Sequence, residues 1–182
     1  MIKYLLALIT IIILVIPGCS VLATSLPSRA TSVQTLEQKK LAVTEYLRSF
    51  KKIDKDFNRA IKSIEFPGIS ASAEGFQNLN NAFGQALDIL QITLRRLDGI
   101  TLADIDEVKN HFTEYKKAVQ DNARIIQSIQ KSASDKNMDG VLLGLNELRG
   151  MDARFSSVYK QTGDLMLKYT VTDFERQIPI LR

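Results

Sequence analysis

The sequence has little of what metal sites, disulfides and common catalytic sites require. Its 182 residues include one cysteine, one histidine and no tryptophan. One cysteine excludes an intramolecular disulfide framework, and one histidine excludes the paired histidines of zinc or di-iron sites. The phosphate-loop, dinucleotide-binding and nucleophile-elbow motifs are missing as well. We therefore expect no metal, no cofactor and no enzymatic activity.

An apolar segment with almost no charge opens the chain. Lys3 is the only charged residue before Arg29, and residues 4–16 are apolar except for Thr10. A short basic start followed by a 13-residue apolar run is typical of an export signal. As a helix the run would span ~20 Å, which is less than the ~30 Å of a bilayer core.

The apolar run leads directly into Ile16-Pro17-Gly18-Cys19, followed by Ser20. This stretch resembles the lipobox of bacterial lipoproteins, in which an apolar residue stands three places before an obligatory cysteine and a small residue stands just before it. Ile16 and Gly18 fit, whereas Pro17 replaces the usual Ser, Ala, Thr or Val. The resemblance implies cleavage after Gly18, diacylglycerol and palmitate-type acyl chains on Cys19, and anchoring on the extracytoplasmic face of a bacterial membrane, in the cell envelope.

This interpretation divides the chain into three parts. Residues 1–18 form the signal peptide, residues 19–31 form the lipidated cysteine and a flexible Ser/Thr-rich tether, and residues 32–182 form the folded domain. An uncleaved signal anchor and simple secretion are the alternatives. Ser20 stands where an aspartate would imply retention in an inner membrane, so the resemblance is compatible with an outer membrane where the organism has one; inner or outer membrane stays open.

Long proline-free stretches with heptad spacing predict four helices. The expected fold is an all-α, antiparallel up-down-up-down four-helix bundle with a short extra C-terminal helix. In the first helix the core-facing heptad positions are Leu36, Val43, Phe50, Phe57 and Ile64. The predicted bounds are 32–65, 73–98, 101–131 and 138–169.

Three local signals mark the expected helix ends. Gly99 is expected to be a left-handed cap of the second helix. The sequence Thr101-Leu102-Ala103-Asp104 matches a capping box for the third helix. A second such match begins at Thr172, so we expect a kink at 170–172 and a short helix to Gln177.

The positive charge of the folded part is concentrated in its first helix. Residues 29–65 hold nine Lys/Arg against five Asp/Glu, while later regions are nearly balanced. Five of these cations follow one another at alternating steps of four and three and form a single line opposite the apolar positions, which we call the basic stripe: Arg48, Lys52, Lys55, Arg59 and Lys62. The stripe is a candidate contact for anionic lipid or wall polymer; an ordinary solvated face with local acidic partners such as Asp56 is the alternative.

Two acidic groupings are candidates for chemistry. Asp54 and Asp152 occupy core-facing positions and would fall within about one turn of each other if the first and fourth helices align end to end. They could bind a cation or do acid–base work, but a salt bridge to Arg149 or Arg154 is the simpler expectation.

The single histidine offers a second grouping. His111 shares a helical surface with Glu107 and Glu114, and we expect a solvated surface cluster there. Gly140 and Gly144 are four residues apart, which suits either close helix contact or local fraying.

We therefore expect a non-enzymatic binding or adaptor module whose partner is an envelope protein or an anionic envelope surface. Nucleic acid is not expected as a partner, because the signal directs the chain out of the cytoplasm. One alternative is a small-ligand carrier for lipid or haem, which an interior cavity above ~300 Å³ would favour. The other is an envelope hydrolase built on Asp54, Asp152 and Glu147.

Overall fold

The computed structural model describes residues 35–171, and these residues form a four-helix bundle. The predicted all-α class is confirmed: the described part of the chain consists of four long helices and their connections, with no strand. The helices are α1 Leu36–Lys62, α2 Ala73–Asp98, α3 Asp106–Ser134 and α4 Met138–Lys168.

Consecutive helices run antiparallel. The start of α3 contacts the end of α4 through the ion pair of Glu107 with Lys168, and the middle of the two helices is joined by that of Asp121 with Arg154. α2 and α3 are antiparallel as well. The end of α2 contacts the first half of α3 through Asp98 and Lys116, and the start of α2 contacts the end of α3 through Asn80 and Ser134. Short connections produce this up-down-up-down order, because a chain that turns within a few residues returns along the helix it has left.

The core is a single apolar cluster to which all four helices contribute. Val43, Leu47 and Leu90 are fully buried in it. A close helix contact accompanies Gly144, because a Cβ built there would lie 2.3 Å from Cγ1 of Ile129 on α3. Of the two expectations for the glycine pair, close contact therefore holds at Gly144. The buried core side chains of the described residues all fall between Val43 and Val171.

The first helix is displaced along its own axis relative to α2. Nη2 of Arg96 lies 2.7 Å from Oδ2 of Asp56, which places the end of α2 beside the C-terminal third of α1. The N-terminal half of α1 therefore extends past α2, and Leu36 is 69% exposed. Its predicted core position was wrong, because none of the helices α2–α4, as described up to residue 171, extends far enough to cover it.

Several helix boundaries differ from those expected. α1 begins after a capping box made by Thr35 and Gln38 and ends at Lys62, not at residue 65; residues 32–34 lie outside the described part. α3 continues to Ser134, so the turn before α4 is shorter than predicted.

The expected cap and capping box around the α2–α3 connection were wrong. Gly99 has φ −83° and ψ −3°, so it continues the right-handed conformation of α2. α3 begins at Asp106 after Ile105, with no side-chain cap. Asp104, the last residue of the predicted box, pairs with Lys109 instead.

The C-terminal break occurs where it was expected. α4 ends at Lys168, Thr170 has a left-handed φ of 51°, and the backbone N–H of Val171 donates to the carbonyl of Met166. Val171 is buried against the core. The predicted short helix to Gln177 lies outside the described residues.

Candidate functional site

The basic stripe occupies the outer face of α1. All five of its side chains are exposed, while the opposite face of the helix buries Val43, Phe50 and Phe57. From Arg48 to Lys62 the stripe extends for ~21 Å at the rise of an α-helix. Helical spacing alone brings the five cations together, as the sequence predicted.

The predicted acidic partner of the stripe is engaged elsewhere. Arg96 donates a hydrogen bond to Asp56, and this bond is the main reason why the pKa of Asp56 is lowered; the nearby charges of Arg59 and Lys52 lower it further. Across residues 35–171 no carboxylate lies within ion-pair distance of any stripe cation. Asp56 therefore makes its ion pair with Arg96 and none with the stripe, although the charges of Arg59 and Lys52 still attract it.

An exposed apolar residue continues the same face toward the N-terminus. Leu41 precedes Arg48 by seven residues, which is two helical turns, so both side chains lie on one line of α1. Leu41 is 60% exposed. The outer face of α1 thus carries five cations, and the exposed carboxylate of Glu45 lies between Arg48 and the apolar side chain of Leu41.

The inner face of α1 is joined to α3 and α4 by buried hydrogen bonds around His111. The phenol oxygen of Tyr46 lies 2.6 Å from Nδ1 of His111, and Nε2 lies 2.7 Å from Oγ1 of Thr162. His111 is 1% exposed. The predicted solvated cluster was wrong: His111 faces the core, Glu107 pairs with Lys168, and Glu114 remains exposed.

The hydrogen bonds around His111 define its protonation state. Thr162 donates its hydroxyl proton to the carbonyl of Val158 at 3.1 Å, so Oγ1 of Thr162 accepts from the Nε2–H of His111. Nδ1 is then the acceptor for the hydroxyl of Tyr46. The imidazole is therefore neutral, and burial lowers its pKa to about 4.

A second polar group on the inner face of α1 is the carboxylate of Asp54. The hydroxyls of Tyr115 and Tyr159 both donate to Oδ1 at 2.9 Å, and the side-chain amide of Asn58 donates to Oδ2 at 3.1 Å. Burial raises the pKa of Asp54, and the three donors oppose this effect. These bonds tie α1 to both α3 and α4.

The expected proximity of Asp54 and Asp152 was wrong. Asp54 is level with Tyr159 on α4, which is two helical turns from Asp152, and Asp152 is exposed. The difference arises because α1 is not aligned end to end with the other helices. Neither predicted arginine partner bonds to Asp54: Arg154 pairs with Asp121, and Arg149 bonds to Asn146. Glu147 is exposed on α4.

We refer to the side chains of both hydrogen-bonded groups together as the buried polar cluster, in which Tyr46, His111 and Tyr115 are buried and Asp54, Asn58, Tyr159 and Thr162 are half-buried. Sequence reasoning missed this cluster. One signal pointed to it, since His111 lies three residues after Val108 and four before Tyr115, which is the spacing of a core position.

An open groove of about 690 Å³ lies beside α1, next to the basic stripe. α2 ends before it reaches this part of α1, so the groove is bounded on its other side by the irregular segment that connects α2 to α3. It is not inside the bundle, where the carrier hypothesis expected a cavity. The residues that line it are Ala42, Glu45, Tyr46, Ser49, Lys52, Ile53, Arg96, Gly99, Ile100, Thr101, Leu102 and Ala103.

The predicted signal peptide, Cys19 and the tether lie outside the described residues. Among the helices of residues 35–171, none combines the length and apolar character needed to cross a bilayer. Within the same residues no three His, Cys, Asp or Glu side chains are grouped as metal ligands would be.

Comparisons with models of protein families, with curated proteins and with solved structures found no match for the chain.

Proposed function

We propose that the chain is a membrane-anchored, extracytoplasmic lipoprotein, and that its bundle is a non-enzymatic binding module that lies on an anionic envelope surface through the basic stripe. The observation that carries the proposal is the row of five exposed cations, from Arg48 to Lys62, without an ion pair among the described carboxylates. Clustered cations of this kind bind anionic lipid or polymer because their attractions add over a short distance.

The fold favours surface binding in a second way. α1 is bonded on its inner face through Tyr46 and Asp54 to α3 and α4. These bonds restrict rotation of α1 about its axis, so its outer face holds all five cations toward solvent before any surface is met. Such preorganisation reduces the entropy that binding would otherwise lose.

The exposed side chain of Leu41 adds an apolar contact at the N-terminal end of the stripe. Binding of a helix to a lipid surface increases with the apolar area it buries as well as with its attraction to anionic lipid.

The tether would keep the stripe close to its target. Fifteen residues separate Cys19 from Thr35, and a flexible chain of that length has a root-mean-square span of ~20 Å. Confinement to this range raises the effective concentration of the stripe at the membrane, so a weak individual affinity suffices.

The test is sedimentation with vesicles of a chain that starts at Ser20, which keeps every buried core residue of the described bundle. We expect binding to vesicles that contain phosphatidylglycerol, little binding to phosphatidylcholine alone, and release as salt rises from ~50 to ~500 mM, because the Debye length then falls below ~5 Å. Equal binding to both vesicle types would contradict the proposal.

A further inference from the structure

The groove beside α1 has the size and chemistry of a small-molecule site. Its volume of about 690 Å³ lies within the range of ~300–1,000 Å³ typical of ligand pockets. It exists because α2 ends at Asp98 while α1 continues, and the segment from Gly99 to Ala103 is too irregular to pack against α1 as a helix would.

The lining of the groove is amphipathic. Ala42, Ile53, Ile100, Leu102 and Ala103 supply apolar surface. Ser49 and Thr101 supply hydroxyls, and the charged lining residues are Lys52, Arg96 and Glu45. Arg96 also pairs with Asp56, so what the groove offers an anionic group is the two cationic donors Lys52 and Arg96, beside apolar surface for the rest of a ligand.

Donors for an anionic group are present on both sides. Lys52 has no ion pair with a described carboxylate, and Arg96 uses only one Nη for its bond to Asp56. On the opposite side, the backbone N–H groups of Thr101, Leu102 and Ala103 make no hydrogen bond to a backbone carbonyl within residues 35–171. Charge-assisted bonds from Lys52 and Arg96 to an oxyanion would be stronger than bonds between neutral groups.

The position of the groove identifies the source of the ligand. Lys52 belongs both to the groove and to the basic stripe. If the stripe lies on an anionic membrane, the groove opens at the edge of that contact, where lipid headgroups are at high concentration.

We propose that this groove binds a single anionic phospholipid, with the phosphate between Lys52 and the segment Thr101–Ala103 and the first part of an acyl chain against Ile53 and Leu102. The inference rests on the proposed function, because the stripe is what brings the groove to the lipid. It adds a defined site with one-to-one stoichiometry to what would otherwise be attraction by charge alone.

The test uses water-soluble lipid, so that it does not depend on vesicles. The chain from Ser20 is titrated, below the micelle concentration, with dihexanoyl phosphatidylglycerol, dihexanoyl phosphatidylcholine and inorganic phosphate, and amide shifts are followed by nuclear magnetic resonance. We expect saturable shifts of Gly99–Ala103 with phosphatidylglycerol, at least tenfold weaker binding of phosphatidylcholine, and no saturation with phosphate. Saturation with phosphate at the same concentration would overturn the lipid assignment.

Two variants locate the site. Ser49→Trp fills the groove from an exposed position and should abolish binding of the soluble lipid, whereas Ala153→Trp, at an exposed position on α4, should leave it unchanged. Lys52→Gln should weaken binding about fivefold, and Lys62→Gln, a stripe residue outside the groove, should weaken it much less. Undiminished binding to Ser49→Trp, with helical content unchanged, would overturn the inference.

The two proposals fail separately. If phosphatidylglycerol gives no saturable shift while the chain still sediments with anionic vesicles, the groove site is wrong and the stripe proposal stands. If the chain does not sediment with anionic vesicles, the stripe proposal is wrong, and a saturable one-to-one shift would still identify a lipid site in the groove.

Discussion

The phenol oxygen of Tyr46 lies 2.6 Å from Nδ1 of His111, and this hydrogen bond joins α1 to α3 where both side chains are buried. The same bond also determines which residues the opposite side of α1 exposes. A helix held by directional bonds on its inner face has a fixed rotation about its axis, so its outer face, with the basic stripe, is fixed as well. The buried polar cluster therefore holds the basic stripe in its exposed position.

The buried histidine should make the stability of the bundle depend on pH. His111 has a pKa of about 4 in the folded chain, whereas an exposed histidine titrates near 6.5. The unfolded chain then binds the additional proton between these values, so stability is fully present above pH 6.5 and falls as the pH drops toward 4.

Between pH 7.5 and pH 5 we expect the free energy of unfolding to decrease by ~2 kcal/mol from this group. Chemical denaturation at the two pH values measures the change, and His111→Gln should remove most of it. Asp54 has the opposite effect on the free energy of unfolding. Because its pKa is raised in the folded chain, the folded chain binds its proton more readily than the unfolded chain, and lower pH favours the folded state. The same pH dependence in the wild type and in His111→Gln would contradict the neutral, buried imidazole.

The bond from Tyr159 to Asp54 should contribute to stability through the charge it solvates. Tyr159→Phe removes only the hydroxyl and leaves the buried carboxylate with one donor fewer, which should cost ~1–3 kcal/mol. In an Asp54→Ala background the same substitution should cost less than ~1 kcal/mol. Equal costs in both backgrounds, measured by urea denaturation, would show that the two groups are not coupled.

Two glycines of α4 should respond oppositely to the same substitution. Gly144→Ala should destabilise the bundle although alanine favours helix, because the new Cβ would lie 2.3 Å from Cγ1 of Ile129. Gly150→Ala is the matched control: nothing lies within 4 Å of its added Cβ, so it should stabilise by ~0.5–1 kcal/mol. Thermal unfolding of the two variants measures both effects. Equal stabilisation of the two variants would contradict the close packing of α3 against α4 at Gly144.

The proposed anchor should depend on a single sulfur. Cys19→Ala should block lipidation and leave an unprocessed precursor, because the chain has no other thiol. Metabolic labelling with a fatty-acid analogue measures this directly. A variant that still takes up the label would refute the lipobox interpretation.

Helical periodicity predicted the fold well, because burial of one face is a local property of the sequence. The bounds of α2 agree at both ends, and Val43, Phe50 and Phe57 are core residues as expected. The same reasoning placed the stripe on the exposed face, since both faces follow from one period.

The internal partners could not be predicted, because they depend on the register between helices. Asp54 meets Tyr115 and Tyr159, and not Asp152, only because α1 is displaced along its axis. The ten-residue connection between α1 and α2 permits this displacement, and no local pattern encodes it. The groove arises from the same displacement, so it too was invisible in the sequence.

The capping signals failed for a related reason. Thr101 begins a sequence with the residue types of a capping box, but these residues form the irregular connection beside the groove, and α3 starts only after Ile105. Buried Ile105 and Val108 determine where the helix meets the core. Tertiary packing outweighed the local preference.

The most direct test of the central claim compares two variants of equal net charge. In the first, Arg48, Lys52, Lys55 and Arg59 of the stripe are replaced by Glu; in the second, four exposed cations of α3 and α4 are replaced in the same way, at Lys117, Lys131, Arg149 and Lys160. Sedimentation with phosphatidylglycerol vesicles at ~50 mM salt is measured for both. We expect the stripe variant to lose binding and the control variant to keep most of it, with equal helical content in the two. Equal loss in the two variants would show that net charge, and not the stripe on α1, determines binding, and would contradict the account.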